Sequence, residues 1–433
     1  MTPRPTFYGW KLVAVLWSLD FLNMGSTLYG GTVINTYMLK EIAMSRSTYG
    51  MGFTLLNLFV GLPSMMVAVA IVRWGIRQTF AVGSSLIFAG ALWLALFATR
   101  PWHYLLGFGV LAGTGLSFST IVPVATAVTR WFVRYRGRAM AIALSASGFA
   151  GFVGAPLTNR ILAATGGNWR SAWIVVCGIA IVSGLLAFAF VKERPQDLGQ
   201  VPDGRIDADP ANGHTASPSL ATKYPWTAEQ AYRTRAYWMI ILGGIGCQFP
   251  FFFFTAHWIL HLRGAGVQAA DAAWAMALFS IGAVEGRLVG GWLMDGLPAR
   301  IAFMLGLGCY FVGTLLALNV NAHALWTAYA AAILYGTAFG WTFICMNTAT
   351  ANFFGPAAFP RLGGLAMVLT GIFSSPSGVI GGKLFDIYRN YTLAFELNMV
   401  IAAGGIIALF FATMPPPPQG DPAVPEVGIA EAS

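Results

Sequence analysis

The chain has 433 residues, of which 57% are hydrophobic and only 9% are charged. Soluble domains of this length carry far more charge, so the composition indicates an integral membrane protein. The net charge of +9 does not indicate nucleic acid as a partner, because the basic residues are scattered through many short loops. The four cysteines fall in separate apolar segments with neither metal-ligand spacing nor a disulfide framework. We therefore expect no cofactor and no metal.

Hydropathy predicts an all-α membrane protein with twelve membrane-spanning helices. Their predicted limits are 10–33, 49–72, 79–99, 102–128, 138–160, 169–191, 237–260, 271–295, 299–319, 323–346, 361–384 and 392–413. A polar segment rich in Pro, Asp and Gly follows the sixth span, and a proline-rich tail follows the twelfth. We predict a six-helix bundle over 1–191, a cytoplasmic linker over 192–235, a second six-helix bundle over 236–414 and a disordered cytoplasmic tail over 415–433.

The charges between the spans predict the orientation of the chain in the membrane. Segments on the side of the termini carry about twice as many Lys and Arg as segments on the opposite side. This bias predicts that both termini are cytoplasmic. The first apolar run has no small-residue cleavage site after it, so we interpret it as a retained span. We expect a monomer in the lipid bilayer of the cell membrane, the inner membrane in a bacterium.

The sequence repeats itself at a constant offset of 223 residues. Matched pairs are Gly113 with Gly336, Thr114 with Thr337, Arg77 with Arg300, and Arg138 with Arg361. A single offset that holds from the second span to the fifth indicates two related six-helix halves. The same offset places Val72 opposite Asp295 and Ser64 opposite Arg287, so the second half has charges that the first half lacks.

The eighth span carries two charged residues, Glu285 and Arg287, deep within an apolar segment. A guanidinium at that depth costs at least ~3 kcal/mol, which makes Arg287 a functional-site candidate. Helical spacing puts small residues such as Ser280 and Gly290 on its face, so a ligand or another helix can come close. Glu285 lies two positions away and points elsewhere. The alternative is a structural ion pair between Arg287 and an acid on another helix.

Two six-span halves joined by a central loop resemble the major facilitator superfamily. The loop signature of that superfamily, after the second span of each half, is a glycine, an acid and then basic residues. The second half matches at Gly291, Asp295 and Arg300, and the first half matches at Arg73, Gly75 and Arg77. The resemblance implies a conformational brace on the cytoplasmic side, weaker in the first half because Val72 replaces the acid.

More specific motifs resemble the monocarboxylate transporter and oxalate/formate antiporter branch. They are Tyr8-Gly9-Trp10, Gly113-Thr114-Gly115, Arg130-Trp131-Phe132, Arg136-Gly137-Arg138-Ala139 and the linker segment from Glu193 to Gly204. Arg287 followed by Gly290 falls where this branch has its substrate-binding arginine. The resemblance therefore implies that Arg287 binds a carboxylate substrate.

This chain departs from the animal and oxalate carriers at three places. Ala283 stands where animal carriers have an acid one turn before the arginine, and the region around Tyr29 lacks their first-span lysine. Ser374 lies where oxalate carriers have a lysine midway along the eleventh span. Lactate specificity therefore cannot be transferred from the family.

Arg287 is suited to a carboxylate because its planar guanidinium donates two parallel hydrogen bonds. A single central cation favours a substrate with one carboxylate. We expect polar and aromatic residues on other spans to line the cavity: Asn23, Tyr29, Phe118, Ser119, Ser145, Ser147, Tyr335, Asn347 and Ser374. For each of these the alternative is ordinary packing of a polar side chain between helices.

Coupling to protons needs a titratable group within the spans, and the candidates are Asp20 and Glu285. Asp20 has a structural alternative as a pairing partner for Arg287. His257 and His261 share a face at the outer end of the seventh span. They lack a third metal ligand, so a position at the mouth of the transport route is favoured over a metal site.

We expect a secondary active transporter that moves a small organic anion, a monocarboxylate, by alternating access with proton coupling or exchange. An efflux carrier of lipophilic small molecules is the first alternative, and it predicts a cavity that tolerates the loss of Arg287. A transporter-like sensor without transport is the second. An enzyme is not expected, because the sequence lacks the metalloprotease, nucleophile-elbow, phosphate-loop and paired-carboxylate patterns.

Overall fold

A computed structural model describes residues 7–132, 135–204, 222, 224–321 and 323–417. Within these residues the chain forms eleven helices long and apolar enough to cross a membrane, and a twelfth that is bent. In chain order they are α1 Gly9–Glu41, α2 Arg46–Gly61 with Ser64–Trp74, α3 Ile76–Phe97, α4 Pro101–Trp131, α5 Arg136–Ala164, α6 Trp169–Phe190, α7 Arg235–Gly264, α8 Ala269–Gly296, α9 Ala299–Leu318, α10 Leu325–Gly355, α11 Arg361–Tyr388 and α12 Thr392–Phe410. The twelve predicted spans are confirmed.

The helices form two pseudo-symmetric six-helix bundles, α1–α6 and α7–α12, as the sequence predicts. The starts of corresponding helices repeat the offset of 223 residues, as in Arg46 with Ala269 and Ile76 with Ala299. The helices that run furthest beyond their predicted ends are α1, which continues to Glu41, and α10, which continues to Gly355. In α1 the extension has a buried face that includes Ile34 and Met38, so tertiary packing carries the helix past the apolar window.

Several helices are irregular near the middle of the bundles. A π-helical segment occupies Met24–Tyr29 in α1 and another occupies Leu105–Ala112 in α4. The α4 helix is also interrupted at Thr120, which has φ −128° and ψ −115°. Both π-helical segments belong to the first bundle, and wide helical turns of this kind are frequent at functional sites.

An even number of spans puts both ends of the described chain on one side of the bundles, called here the terminus side; the opposite side is the far side. On the far side α2 packs tightly against α11. Thr54 Oγ1 donates a hydrogen bond of 2.7 Å to the carbonyl of Ser375, and a methyl group at Gly50 would overlap the Gly378 carbonyl. Asp386 accepts hydrogen bonds of 2.9 Å from the backbone N–H of Arg46 and of Ser47. This α2–α11 seam therefore closes the far side.

A second seam joins α5 to α8. A methyl group at Gly148 would overlap Val284, and one at Gly151 would overlap the hydroxyl of Ser280. The glycines of α5 thus allow the two bundles to approach at the middle of the membrane-spanning region. On the terminus side, neither Ser64–Trp74 nor Ile121–Trp131 packs extensively on the described helices of the second bundle. The two bundles are therefore closed on the far side and separated on the terminus side.

The first-half loop for which a conformational brace is predicted has a carboxylate, although Val72 stands where the signature has its acid. Val72 is 81% exposed, and the required carboxylate comes instead from Glu193, which follows α6. Glu193 accepts hydrogen bonds of 2.8 and 2.9 Å from the backbone N–H of Ile76 and Arg77, and it forms a 3.2 Å ion pair with Arg130. Because an anion at a helix N-terminus is stabilising, Glu193 fixes α3, α4 and α6 together.

The other residues predicted for the brace have separate surroundings. Arg73 is exposed, and the Arg77 guanidinium lies 4.7 Å from the centre of the Phe188 ring on α6. In the second half, Arg300 donates a 3.3 Å hydrogen bond to the carbonyl of Ala412 after α12. The side chain of Asp295 lies outside the described part of the structure, so its place in the brace stays a prediction.

Part of the predicted linker packs on the second bundle. The Thr222 N–H donates a 2.8 Å hydrogen bond to the Asn352 carbonyl, and the buried Trp226 ring packs edge-on against Phe354. Within the linker, 205–221 and 223 lie outside the described residues, and so does the tail from 418. The predicted domain limits therefore stay predictions.

Candidate functional site between the two bundles

Arg287 lies on α8, between the face that packs on α10 and the face that packs on α5. On the α10 side, a methyl group at Gly340 would overlap the carbonyl of Ala283. On the α5 side, Ser280 and Val284 meet the glycines described above. Both faces flank the side of α8 that carries Arg287, so helix packing directs its guanidinium between the two bundles.

The Arg287 guanidinium is partly buried and has no hydrogen-bond partner among the described residues. It interacts electrostatically with Asp20 and Tyr29, both on α1. The contact ion pairs that the structure describes are elsewhere, between Arg130 and Glu193 and between Arg170 and Glu41. Arg287 thus keeps its five N–H donors available, and Asp20 is a charge neighbour without direct contact.

Asp20, Asn23 and Tyr29 all come from the middle of α1, as predicted. Asp20 is 2% exposed and Asn23 is 1% exposed, so both are buried polar side chains. The Tyr29 ring meets α5 at Gly151, where the Ser280 hydroxyl also lies. The structure therefore brings Asp20, Tyr29, Ser280 and Arg287 together from both bundles. Asp20 and Arg287 lie at similar depth, each about three turns from the terminus-side end of its helix.

Tyr335 is buried inside the second bundle and is separate from this group. Its hydroxyl shares a 2.7 Å hydrogen bond with Thr314 on α9, and its ring stacks on Phe254 at 4.6 Å. Phe118 belongs to the apolar core of the first bundle, and Ser119 donates a 2.8 Å hydrogen bond to the Gly115 carbonyl. Their contacts are those of ordinary helix packing.

The remaining predicted lining residues differ in whether their polar groups have hydrogen-bond partners. They are Ser145, Ser147, Asn347 and Ser374. Ser147 Oγ donates to the Leu144 carbonyl at 3.1 Å, and Asn347 Nδ2 donates to the Phe343 carbonyl at 2.8 Å. Ser145 accepts a 3.2 Å hydrogen bond from Trp17 of α1. Ser374 is buried at the break in α11, and its hydroxyl has no partner among the described residues.

Glu285 faces away from Arg287, as its two-residue separation predicts. It is exposed on the outer surface of α8, in one stripe with Leu288 and Trp292, which are 72% and 74% exposed. Its carboxylate accepts a 2.7 Å hydrogen bond from Thr337 on α10. Of the two carboxyl groups considered for coupling, Asp20 is the one that the structure puts beside Arg287.

The two histidines occupy the far side of α7. The His257 ring forms a 2.7 Å hydrogen bond with the carbonyl of Gly378, in the α2–α11 seam, and a 3.1 Å hydrogen bond with the Tyr391 hydroxyl. His261 forms a 2.9 Å hydrogen bond with the Ala317 carbonyl. Because a carbonyl can only accept, the ring nitrogens facing Gly378 and Ala317 are donors. Those two nitrogens are therefore engaged with backbone.

Three residues of functional interest were missed by the sequence reasoning. Ser280 was noted only as a small residue, although its hydroxyl lies beside Tyr29. Asp386 lies at the outer end of α11 and caps α2 of the other bundle. Thr27 is fully buried and unpartnered one turn after Asn23. The sequence could have identified Thr27, because it follows Asp20 and Asn23 at helical spacing along α1.

The chain matches the family model described as the Major Facilitator Superfamily over residues 16–270 and 258–431. It belongs to the Major Facilitator Superfamily and is a membrane transporter, not an enzyme.

Its relatives include two monocarboxylate transporters. The chain is 28% identical over 349 residues to monocarboxylate transporter 13 of Bos taurus, covering 77% of this chain and 74% of the relative. It is 27% identical over 348 residues to monocarboxylate transporter 11 of Homo sapiens, covering 78% of this chain and 68% of the relative. These similarities confirm the resemblance to the monocarboxylate transporter branch at low identity.

Solved structures with the same fold include the nucleoside transporter NupG, with a TM-score of 0.68 and 14% identity over 92% of this chain and 98% of that one. A bacterial homologue of the lysosomal transporter Spinster has a TM-score of 0.67 and 16% identity over 94% of this chain and 96% of that one. Identities this low support the shared fold alone.

Proposed function

We propose that the protein is a secondary active transporter that carries a small monocarboxylate across the membrane by alternating access. The observation that carries this proposal is the Arg287 guanidinium, which lies between the bundles without a hydrogen-bond partner among the described residues. An arginine with free donors in a low-dielectric site binds a planar carboxylate through two parallel hydrogen bonds. The monocarboxylate transporters among its relatives support the same substrate class.

The arrangement of the bundles supports an alternating-access mechanism. The α2–α11 seam closes the far side, while the bundles are separated on the terminus side. The bias of Lys and Arg assigns the terminus side to the cytoplasm, so this arrangement corresponds to a state open to the cytoplasm. In this mechanism the two bundles rock against each other about the α5–α8 seam, where the glycines of α5 allow close contact.

Asp20 supplies the coupling site in this proposal. It is buried, it carries the carboxyl group that lies near Arg287 among the described residues, and it comes from the opposite bundle. Binding of a carboxylate to Arg287 weakens the attraction between Arg287 and Asp20. Substrate binding is thereby linked to the charge on Asp20. The transported anion then moves together with a cation bound at Asp20, or it is exchanged for another anion.

The test combines a thermal-shift screen of the purified protein against small monocarboxylates with uptake into proteoliposomes. We expect Arg287→Ala to abolish uptake, and Arg287→Lys to weaken binding by about 1–3 kcal/mol because lysine keeps the charge but loses the planar fork. Arg263→Ala is the matched control, since Arg263 donates to the Val267 carbonyl at the far-side end of α7.

Parental monocarboxylate uptake by Arg287→Ala would disprove the binding role. An efflux carrier of lipophilic molecules would instead keep its ligand affinity in this variant, since an apolar ligand needs no guanidinium.

A further inference from the structure

Three polar side chains lie on one face of α1, and one of them, Asp20, is the charge neighbour of Arg287. Asp20, Asn23 and Thr27 are spaced by three and four residues, so each lies one turn above the previous one. They are 2%, 1% and 0% exposed, respectively. Thr27 falls within the π-helical segment Met24–Tyr29, where the wider turn displaces side chains from regular helical positions.

The polar atoms of this face have no partners among the described residues. Both side-chain atoms of Asn23 and the hydroxyl of Thr27 are buried without a hydrogen bond. Asp20 accepts no hydrogen bond either, and Arg287 is its charge neighbour. Elsewhere on α1, by contrast, buried threonines donate to carbonyls of the preceding turn, as in Thr32 to Tyr29 at 2.6 Å. Buried polar groups left unpaired are costly, so this face has the character of a binding site.

The chemistry of the three side chains selects the ligand. Asp20 repels an anion, so the carboxylate substrate itself belongs at Arg287 and not on this face. A proton would satisfy Asp20 alone and leave the Asn23 and Thr27 oxygens unpaired. A divalent cation would have only one carboxylate to neutralise it, with the Arg287 charge close by. Carboxylate, amide and hydroxyl oxygens together suit a hard monovalent cation.

We infer that Asp20, Asn23 and Thr27 form a binding site for an alkali-metal cation, with bound water completing its shell. This inference deepens the proposed function, on which its role in transport rests. Arg287 raises the electrostatic cost of the cation in the empty protein, and a carboxylate bound to Arg287 removes that cost. The cation and the carboxylate therefore increase each other's affinity for the protein. The two ions cross the membrane together with no net charge.

The first experiment measures the cation site without any carboxylate. The melting temperature of the purified full-length protein is followed while NaCl or KCl replaces choline chloride at constant ionic strength. We expect a saturable rise with at least one of the two alkali cations, because a ligand that binds only the folded state stabilises it. A flat response to both would overturn the inference.

Variants assign the effect to the three side chains. Asn23→Ala or Thr27→Val should raise the half-saturating cation concentration by about tenfold or more, the factor expected for one lost contact to a charge. Since both groups are unpartnered without the cation, neither replacement should lower the melting temperature measured in choline. Asp20→Asn should remove the cation response. Ser26→Ala is the matched control, because Ser26 on the same helix already donates to the Leu22 carbonyl at 2.7 Å.

If Thr27→Val and Asp20→Asn respond to the cation as the parent does, the site is wrong even when a cation binds elsewhere.

A second experiment separates this inference from the proposed function. Carboxylate uptake into proteoliposomes is measured with an alkali-cation gradient at equal pH, and with a pH gradient in choline alone. We expect uptake to follow the cation gradient and to fall by at least about tenfold in choline, consistent with cooperative binding of two opposite charges. Full uptake driven by pH alone would overturn the cation site and leave the monocarboxylate transporter intact. A cation-dependent thermal shift in a protein that neither binds nor takes up any monocarboxylate offered would support the site and contradict the proposed substrate.

Discussion

The Arg287 environment shows why a single buried charge is informative in a membrane protein. A guanidinium within the bundles is tolerated where it is paired, or where it meets water or a ligand. Here the nearest acid, Asp20, interacts with Arg287 electrostatically but makes no contact ion pair with it among the described residues. Arg287 is also only partly buried. Both observations favour a ligand-binding residue over a structural ion pair.

This difference gives a stability prediction. We expect Arg287→Ala to stay folded with a small loss of stability, since a partly exposed polar site can fill with water. Removal of one member of a buried structural pair costs about 3–5 kcal/mol, because it strands the other charge. Expression-normalised melting temperatures of Arg287→Ala, and of Arg287→Ala combined with Asp20→Asn, provide the measurement. A large loss in the single variant that the double variant recovers would identify a structural pair.

At the scale of helices, the far-side closure depends on a carboxylate from one bundle and a helix end from the other. The Asp386 carboxylate on α11 caps the first two N–H groups of α2, at Arg46 and Ser47. The Arg46 guanidinium also lies 4.9 Å from the centre of the Phe385 ring. The positive end of the α2 dipole attracts the carboxylate, so these contacts stabilise the closed seam. The α5–α8 seam, in contrast, is made of glycine faces and aromatic contacts such as Phe152 with Trp274.

We predict that Asp386→Ala opens the far side more often. Loss of both capping hydrogen bonds should shift the balance between closed and open states by about 1–2 kcal/mol, the scale of a helix cap. The readout is the labelling rate of a cysteine introduced at the buried Ser377, in a protein whose four native cysteines are replaced.

Asp271→Ala is the matched control for Asp386→Ala. It removes another far-side acid, whose hydrogen bond from Tyr329 stays within the second bundle. Equal labelling of the Ser377 cysteine in the Asp386 variant and the parent would contradict the role of Asp386 as a latch.

At the scale of the whole molecule, the two halves share a plan but use different residues at equivalent places. Helix starts repeat at 223 residues, yet the position opposite Arg287 is Ser64, just after the bend in α2. In the first half the acid that binds the N-terminus of α3 is Glu193, beyond α6, where the repeat has Val72. A duplicated fold therefore carries an asymmetric candidate site, with the proposed cation-binding face on α1 and the proposed substrate arginine on α8.

The orientation of the molecule gives the topology prediction. The bias of Lys and Arg predicts a cytoplasmic linker, so a cysteine at Ser217 should resist membrane-impermeant thiol reagents in intact cells. Ser217 lies outside the described residues. A cysteine at Asn390, which is exposed on the far side, is the control and should label readily. Labelling of Ser217 with protection of Asn390 would reverse the orientation.

The fold was largely predictable, because hydropathy and the positive-charge bias act on each span separately. Twelve spans, two halves and the prominence of Arg287 all follow from that local information. The site was only partly predictable. Polar residues at plausible depth, such as Tyr335 and Ser119, proved to pack inside one bundle, while Tyr29 lies in the central group with Ser280 and Arg287. Depth alone does not distinguish these cases.

The sequence by itself determined which segments cross the membrane, since burying an apolar helix in lipid needs no partner. Only the tertiary structure decided which face of each helix meets the other bundle. That rotation is set by close packing at glycines such as Gly151 and Gly340, which orient α5 and α10 against α8. It turns Arg287 towards Asp20 and leaves Glu285, two residues away, on the outer surface. Hydropathy counts both as charges in one span, and only packing between helices distinguishes them.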